Sequence, residues 1–229
     1  SPGSNTFEVQ DIPAIVAAAK PRGVTVMLDN TWATPLFFKP LDHGVDIVIH
    51  AATKYPSGHS DVLMGFVSAN ESHAKQLNDA NTWMGLCISS DDAALMLRGM
   101  RTMGLRLERH QKSAMELALW LESDNRVARV LHPALPSFPS HDLWKRDFCG
   151  SSGVFSIVLN GGGRKEAHAF LDALQIFGLG YSWGGFSSLA VEVWLADRKI
   201  AKAPTEGPVI RLQIGLEDVV DLRTDIERG

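Results

Sequence analysis

Two apolar runs that each end at a polar side chain most constrain the fold of this chain. Residues 24–28 are rich in β-branched side chains and are followed by Asp29. Residues 46–50 are followed by a loop of small residues that carries Lys54. Short continuous apolar runs are typical of strands covered on both faces of an α/β sheet. Because such sheets bind ligands beyond the carboxyl ends of their strands, Asp29 and Lys54 are expected to share one sheet edge.

Lys54 and Asp29 together indicate a particular chemistry. A lysine in a crowded loop loses hydration and can be deprotonated, which makes its amine a nucleophile able to form a Schiff base. A carboxylate at the end of a buried strand is the partner that a pyridinium nitrogen needs. The pair predicts a site for pyridoxal 5'-phosphate, with Lys54 as the catalytic lysine and Asp29 as a cofactor-binding residue. Taken singly, Lys54 also fits an ordinary surface lysine, and Asp29 fits a carboxylate that caps a turn.

The composition excludes several function classes. The chain has 229 residues, 45% of them hydrophobic, and a formal net charge of −4, so it can bury a substantial core. Charges of both signs are interspersed, which argues against a nucleic-acid surface or a polybasic membrane patch. No apolar run has the length of a membrane span. Cys87 and Cys149 lie far apart without metal-ligand spacing, so reduced thiols, a cytoplasmic location and no metal site are expected.

The remaining pattern predicts alternating helices and strands. Asp11 followed by Pro13 predicts a short helix over 12–20. A third strand over 62–68 starts too soon after the second for a crossover, so the Lys54 loop joins an antiparallel pair or strands that are not neighbours. Other predicted elements are a helical stretch over 72–124, strands over 127–131, 152–159 and 209–214, and helices over 165–174 and 217–226.

Within that helical stretch, the pattern predicts a cap and a long amphipathic helix. Residues 89–92 are expected to cap a helix over 93–100. The long helix contains apolar residues from Leu105 to Leu121. Its charged positions predict a solvated surface. These positions are Arg106, Glu108, Arg109 and Lys112.

The lysine loop resembles that of the Cys/Met-metabolism family of pyridoxal-phosphate enzymes. The match runs from Asp46-Ile47 through Ala51-Ala52-Thr53-Lys54-Tyr55 to Gly58-His59-Ser60. It departs at Pro56, where the family usually has an aliphatic residue. Further similarity extends over essentially the whole chain, and within the family it is strongest to bacterial carbon–sulfur β-lyases. The stretches that carry this similarity are Ser1 to Ser4, His132 to Pro136, Tyr181 to Gly185, and Arg211 to Glu217.

The resemblance implies a fold-type I architecture, like that of the pyridoxal-phosphate-dependent transferases. This is an α/β fold with a mixed, mostly parallel sheet, helices, and a small α+β C-terminal domain. Residues 1–100 would be the C-terminal part of the large cofactor-binding domain, and residues 101–229 the small domain, in line with a change of pattern near Arg101. The family's N-terminal part, with its glycine-rich phosphate loop and ring-stacking tyrosine, is expected to be missing. The chain alone is therefore expected to be inactive.

The resemblance also assigns roles to individual side chains. Thr53 is expected to donate its hydroxyl to the cofactor phosphate. Arg211 would bind the substrate's α-carboxylate, since a guanidinium pairs bidentately with that group. Ser182 would contact this carboxylate and the lysine, Trp183 would line the distal arm of the substrate, and Tyr181 belongs to the same substrate-binding loop. On pattern alone, Arg211 also fits an outward-facing strand residue, and Trp183 a half-buried tryptophan in a turn.

Two departures from the family bear on binding. Ala51 stands three residues before the lysine, where the family often has a serine, so one phosphate hydrogen bond is expected to be lost or replaced. Ser187 stands where relatives often carry a glutamate, which leaves selectivity for the distal part of the substrate open.

The implied function is a carbon–sulfur β-lyase in methionine biosynthesis. It would cleave cystathionine, or cysteine S-conjugates, to homocysteine (or another thiol), pyruvate and ammonia, and would act as a homotetramer. One alternative is a γ-acting relative of the γ-lyase or γ-synthase type, which needs a second proton abstraction at Cβ. The other is a catalytically silent chain that serves only as a scaffold. No nucleic acid or membrane partner is expected.

Overall fold

The computed structural model describes residues 1–196, 198–200 and 202–229. They form two sheets, one three-stranded and one five-stranded, with helices between and around them. The strands are β1 (Met27–Asp29), β2 (Ile47–Ala51), β3 (Gly65–Ala69), β4 (Val127–Leu131), β5 (Val154–Leu159), β6 (Gly178–Leu179), β7 (Leu189–Val193) and β8 (Val209–Gln213). The helices are α1 (Ile12–Ala19), α2 (Thr34–Phe37), α3 (Glu71–Trp83), α4 (Ser90–Met100), α5 (Met103–Leu121), α6 (His141–Asp147), α7 (Arg164–Ala173) and α8 (Val219–Arg228).

The first sheet places the ends of β1 and β2 side by side. β1 runs parallel to β2, with Asp29 opposite Ile49. β2 runs antiparallel to β3, with Ala51 opposite Gly65, so the lysine loop joins an antiparallel pair. This confirms the first of the two connections that the short spacing allowed. Asp29 and the start of the lysine loop therefore lie at the same edge of the sheet.

The first strand differs from the prediction in its position and burial. It begins at Met27 rather than at residue 24, and the side chains of Val24 and Met27 are 54% and 57% exposed. Within the described residues β1 pairs with β2 alone, so it is an edge strand and lacks the double cover that its apolar sequence predicted. The apolar run therefore predicted the presence of the strand correctly but its burial incorrectly.

The second sheet has the strand order β4-β5-β8-β7-β6 and carries the larger core of the C-terminal half. Every residue of β8 is buried. Phe155, Ile210 and Leu212 pack with Leu117 of α5 and Leu222 of α8 in one apolar cluster. The sequence analysis predicted β4, β5 and β8 but missed β6 and β7. β6 spans only Gly178–Leu179, which is too short to show any periodicity.

The helical stretch predicted over 72–124 is divided into three helices, and one charged position on the last was wrongly placed. Ser89 caps α4 by accepting a hydrogen bond from the backbone N–H of Asp92, as predicted. Glu108 and Lys112 of α5 are exposed, but Arg106 is only 7% exposed. The prediction of a solvated Arg106 is wrong because backbone carbonyls, rather than water, surround its guanidinium. Within the described ranges, no helix has the length and apolar character needed to cross a membrane.

A buried carboxylate joins the last helix to the segment between α7 and β6. Asp225 of α8 accepts hydrogen bonds from the backbone N–H groups of Gln175, Ile176 and Phe177, at 2.9, 2.7 and 3.0 Å. Burial by itself raises the pKa of Asp225, but the three backbone donors and the nearby Arg228 together lower it below its ordinary value. The charged form of Asp225 is thus favoured in the folded protein.

Asp225→Asn is expected to lower the free energy of unfolding at neutral pH by about 1.5–3 kcal/mol, since charge-assisted hydrogen bonds are lost. A carboxyl group whose pKa is depressed by folding contributes stability above its unfolded pKa and loses it as the pH falls through the folded pKa. Urea unfolding at neutral pH should therefore separate variant from wild type, and the two should converge in acid. Asp221→Asn, on an exposed position of the same helix, is the control. An equal loss at both pH values would contradict the prediction.

Candidate active site

A cleft of ≈410 Å³ is lined by residues from both sheets. Asp29 of the first sheet, Lys54 of the lysine loop, Trp183, and Arg211 of the second sheet all face it. Its volume lies within the range of roughly 300–1,000 Å³ that is usual for small-molecule sites. The structure thus brings together four side chains that the sequence analysis selected from separate parts of the chain.

Lys54 lies in a tightly hydrogen-bonded turn, and its amine points to the loop of residues 181–185. The Lys54 backbone N–H donates to Ala51 O at 3.0 Å, and Lys54 O accepts from Gly58 N–H at 2.8 Å. The Nζ atom donates to Ser182 Oγ at 2.8 Å and lies 5.3 Å from the centre of the Trp183 ring. Burial, and then the positive charge of Arg211, lower the pKa of Lys54. Both effects favour the neutral amine that a nucleophile or base requires.

Gly184 allows the loop of residues 181–185 to pack closely against the backbone of Lys54. Its φ angle is +85°, and a Cβ atom at this position would lie 2.9 Å from both the Lys54 carbonyl carbon and the Tyr55 nitrogen. A side chain here would push the two loops apart, and the positive φ also favours glycine. The hydrogen bond between Lys54 and Ser182 therefore depends on a glycine two residues after the serine.

Thr31 connects Asp29 to the lysine loop, a role that the sequence analysis missed. Asp29 Oδ1 accepts from the Thr31 backbone N–H at 2.8 Å, and Thr31 Oγ1 accepts from the Ala51 N–H at 2.8 Å. Within the described part of the chain, Asp29 Oδ2 has no hydrogen-bond partner. The exposed carboxylate of Asp29 is thus oriented through one oxygen. The turn-capping alternative accounts for the first oxygen only.

Arg211 is a buried cation beside the cleft. It is 8% exposed, which argues against an outward-facing arginine. Nη1 donates to Asn5 Oδ1 at 3.2 Å, Nη2 donates to Tyr181 O, and the guanidinium carbon lies 5.1 Å from the centre of the Tyr181 ring. Burial lowers the pKa of Arg211. In the described structure it makes no ion pair with a carboxylate, and a buried charge without a counter-charge is costly.

Thr53 lies beside the site but directs its hydroxyl elsewhere. Oγ1 donates to Met64 O at 3.2 Å and accepts from Met64 N–H at 2.9 Å, and Thr53 does not line the cleft. Its role at the cofactor phosphate stays a prediction. Ala51 does line the cleft, at the position where the family often has a serine.

The chain was compared with known proteins. The model of the Cys/Met metabolism PLP-dependent enzymes matches residues 1–229. The chain belongs to this family. A Rhizobium johnstonii protein provisionally named a cystathionine beta-lyase is 68% identical over 233 residues, which cover 100% of this chain and 59% of that protein. Cystathionine beta-lyase MetC of Escherichia coli K12 is 46% identical over 237 residues, which cover 100% of this chain and 60% of the relative.

Solved structures show the same fold. The crystal structure of cystathionine gamma synthase from Xanthomonas oryzae pv. oryzae, in complex with aminoacrylate and cysteine, matches with a TM-score of 0.92 at 36% identity. The match covers 99% of this chain and 60% of that one. The chain thus spans about three fifths of the length of these relatives. The comparisons confirm the resemblance, the fold-type I class and pyridoxal phosphate as the family's cofactor.

The residues at the cleft fit pyridoxal phosphate. Lys54 offers an amine of lowered pKa, Asp29 offers a carboxylate oxygen to a ring nitrogen, and Arg211 offers a cation to a substrate carboxylate. By contrast, no group of three or more His, Cys, Asp or Glu side chains in the described ranges could hold a metal ion.

Arg211→Gln is expected to raise the pKa of the Lys54 amine, because the positive charge of Arg211 disfavours a second cation nearby. The measurement is a pH titration of Lys54 by NMR after ¹³C reductive methylation of the cofactor-free protein. Arg22→Gln, which removes an exposed arginine near the end of α1, is the control and should leave the titration unchanged. A Lys54 midpoint that stays constant or falls in Arg211→Gln would refute this coupling.

Proposed function

We propose that the natural protein containing this chain is a pyridoxal-phosphate-dependent carbon–sulfur β-lyase. Its substrate is cystathionine or a related cysteine S-conjugate, and its products are homocysteine (or another thiol), pyruvate and ammonia. The observation that carries the proposal is the Lys54 amine, held 2.8 Å from Ser182 Oγ in the cleft that Asp29 and Arg211 also line. Relatives named cystathionine beta-lyase at 68% and 46% identity support it.

Lys54 and Asp29 are the residues that would hold the cofactor in this proposal. When bound, pyridoxal phosphate supplies an electron-withdrawing ring that stabilises the negative charge developing at Cα of a substrate amino acid. The free Oδ2 atom of Asp29 would pair with the ring nitrogen and keep it protonated. Thr31 fixes the orientation of that carboxylate by its backbone N–H.

Arg211 orients the substrate. Its guanidinium is buried, carries a full charge and is bound to the neutral acceptors Asn5 Oδ1 and Tyr181 O. A carboxylate offers it a charged, bidentate partner that these neutral acceptors do not. Binding the α-carboxylate at Arg211 sets the Cα–H bond toward the Lys54 side of the cleft. Restricting the substrate in this way is a major source of rate acceleration.

Lys54 moves the proton. Its neutral amine takes the Cα proton, and Ser182 holds the Nζ atom in place during the transfer. The Cβ–S bond then breaks, and the sulfur leaves with the bonding electron pair and takes up a proton to become the thiol of homocysteine. The remaining three-carbon fragment reacts with one water to give pyruvate and ammonia. The overall equation, cystathionine plus water to homocysteine, pyruvate and ammonia, is balanced without a redox partner.

Trp183 favours a β-lyase over a γ-acting enzyme. In the family resemblance, an aromatic residue at this position distinguishes β-lyases from relatives with an aliphatic one, and here the indole lies beside both Lys54 and Tyr55. The γ-acting alternative is supported by the similarity to cystathionine gamma synthase at a TM-score of 0.92. The silent-scaffold alternative, the inactivity of the 229 residues alone and the homotetramer all stay predictions.

The α-keto acid released from L-cystathionine separates the alternatives. The natural protein, loaded with pyridoxal phosphate, is expected to form pyruvate and homocysteine, and chromatography of the products checks this. Cysteine and 2-oxobutyrate as the main products would replace the β-lyase by a γ-lyase. No α-keto acid at all from the cofactor-loaded protein would favour the scaffold.

Asp29→Asn is expected to retain the cofactor on Lys54 but to slow turnover, because the ring nitrogen loses its charged partner. Loss of a charge-assisted hydrogen bond of about 1.5–3 kcal/mol corresponds to a decrease in kcat of roughly ten- to hundredfold. Steady-state kinetics with L-cystathionine measures the effect. Asp42→Asn, at an exposed position, is the matched control. Near-normal turnover in Asp29→Asn would show that Asp29 serves only to cap the turn through its hydrogen bond with Thr31.

A further inference from the structure

A buried arginine of α5, which is not part of the cleft lining, holds the lysine loop by its backbone. Arg106 Nη1 donates to Tyr55 O at 2.8 Å, and Nη2 donates to Gly99 O at 2.8 Å and to Pro56 O at 3.4 Å. Its Nε donates to Thr102 Oγ1 at 3.1 Å. Two consecutive carbonyls directly after Lys54 are therefore fixed by one planar group anchored on α5.

The charge of Arg106 is balanced by backbone dipoles. Burial lowers the pKa of Arg106, and in the described part of the chain it forms no ion pair with a carboxylate. A guanidinium presents its donors in a rigid fork, so the carbonyls that surround it must keep one arrangement. Loss of that arrangement would leave a buried charge unsatisfied. The arginine thus imposes a fixed shape on the loop, which an exposed ion pair would not do.

The loop itself is built to accept the guanidinium. Gly58 has a φ angle of +69°, and a Cβ atom there would lie 1.8 Å from Arg106 Nη1, so any side chain would displace the arginine. Pro56, which lies between Tyr55 and Gly58 in the loop, restricts the backbone there because its φ angle is fixed. Gly58 N–H also donates to Lys54 O at 2.8 Å, which closes the turn around the lysine. Displacing Arg106 would therefore disturb the turn that carries Lys54.

Tyr55 also links the lysine loop to the residue directly before β5 of the second sheet. Its side chain is fully buried, and its hydroxyl accepts a hydrogen bond from Gly153 N–H at 2.8 Å. The ring lies 5.4 Å from the ring of His110, one helical turn after Arg106, and 5.6 Å from that of Trp183. Arg106 and Tyr55 together fix the backbone on the C-terminal side of Lys54 by hydrogen bonds to other elements.

We infer that Arg106 is a positioning residue for Lys54: by fixing the carbonyls of Tyr55 and Pro56, it keeps the lysine amine against Ser182. The inference rests on the proposed function, in which Lys54 transfers the Cα proton. Arg106 lies outside the cleft lining, so it is not expected to contact the substrate. Its loss acts on the chemical step, and the expected signature is a lower kcat at a nearly constant KM.

The first test compares Arg106→Gln and Arg106→Lys with wild type in the natural protein loaded with pyridoxal phosphate, using L-cystathionine. A displacement of about 1 Å in a reacting group can cost on the order of 100-fold in rate, so kcat per bound cofactor is expected to fall by about that factor in Arg106→Gln. KM is expected to change by less than about threefold. Arg106→Lys keeps the charge but loses the fork, so it should recover little; full recovery would overturn the inference.

Leu117→Ala controls for a loss of stability. Leu117 is buried on the same helix and packs in the core of the second sheet, away from the lysine loop. Its truncation is expected to lower the melting temperature while leaving kcat per bound cofactor unchanged. A kcat in Arg106→Gln that equals that of Leu117→Ala at similar melting temperatures would make Arg106 a purely structural residue and overturn the inference.

Gly58→Ala tests the contact from the loop side. It should reproduce the low kcat and nearly constant KM of Arg106→Gln, because its Cβ displaces the guanidinium. Arg106→Ala is measured alone and together with Gly58→Ala. In the double variant Gly58→Ala/Arg106→Ala the clash is absent, so the decrease in kcat should be smaller than the product of the decreases in Gly58→Ala alone and Arg106→Ala alone. Multiplicative single effects would overturn the claim that both act through one contact.

Borohydride reduction of the wild-type enzyme, followed by peptide mapping, distinguishes a failure of the proposed function from a failure of the positioning role of Arg106. A cofactor label on a lysine other than Lys54 would reject the proposed function itself. A label on Lys54 with normal turnover in Arg106→Gln would leave the proposed function intact and reject the positioning role.

Discussion

The parallel pairing of β1 with β2 is the constraint on which the site depends. It sets Asp29 opposite Ile49 and so brings the carboxyl ends of both strands to one edge. Thr31 then bridges that edge by joining the turn after Asp29 to Ala51 at the start of the lysine loop. A shift of this register by one residue would turn Asp29 to the other face of the sheet. The pairing of the two backbones therefore places Asp29 near the lysine loop, whatever the other side chains of the two strands are.

Two buried arginines show how one side chain type serves two purposes. Both Arg106 and Arg211 lie among backbone or amide oxygens rather than carboxylates in the described structure, and burial lowers the pKa of each. Arg211 faces the cleft, so a ligand can supply the missing counter-charge. Arg106 lies outside the cleft lining, and its donors bind two carbonyls of the lysine loop and the Gly99 carbonyl of α4. The two arginines are similarly buried, so burial alone does not show which of them can bind a ligand. The groups that each guanidinium contacts show this.

The sequence predicted the parts of the site that follow from strand ends. Asp29 and Lys54 could be paired because an apolar run precedes each, whereas Ser182, Trp183 and Arg211 came from family resemblance. Arg106 was misplaced because helical periodicity assigns a charged residue to solvent, and no local signal reports the carbonyls of a loop that lies 51 positions earlier in the chain.

The fold was predicted to a similar extent. Most strands followed from apolar runs, whereas the fold-type I class followed from the family resemblance. The contact of Thr31 with Ala51 and the strands β6 and β7 were missed, because they depend on long-range pairing. The division near residue 101 stays a prediction: one apolar cluster contains residues from both sides of it, from Phe7 to Val209.

The contact of Gly184 with the backbone of Lys54 has a consequence for attempts to redesign selectivity. The loop that holds Ser182 and Trp183 packs directly on the main chain of Lys54, without an intervening side chain. A grafted loop from another enzyme would inherit the alignment of the amine only if it carried glycine at this position. If the proposed function holds, substrate choice and the position of the Lys54 amine are linked through Gly184, so a library that varies the loop should keep glycine at this position.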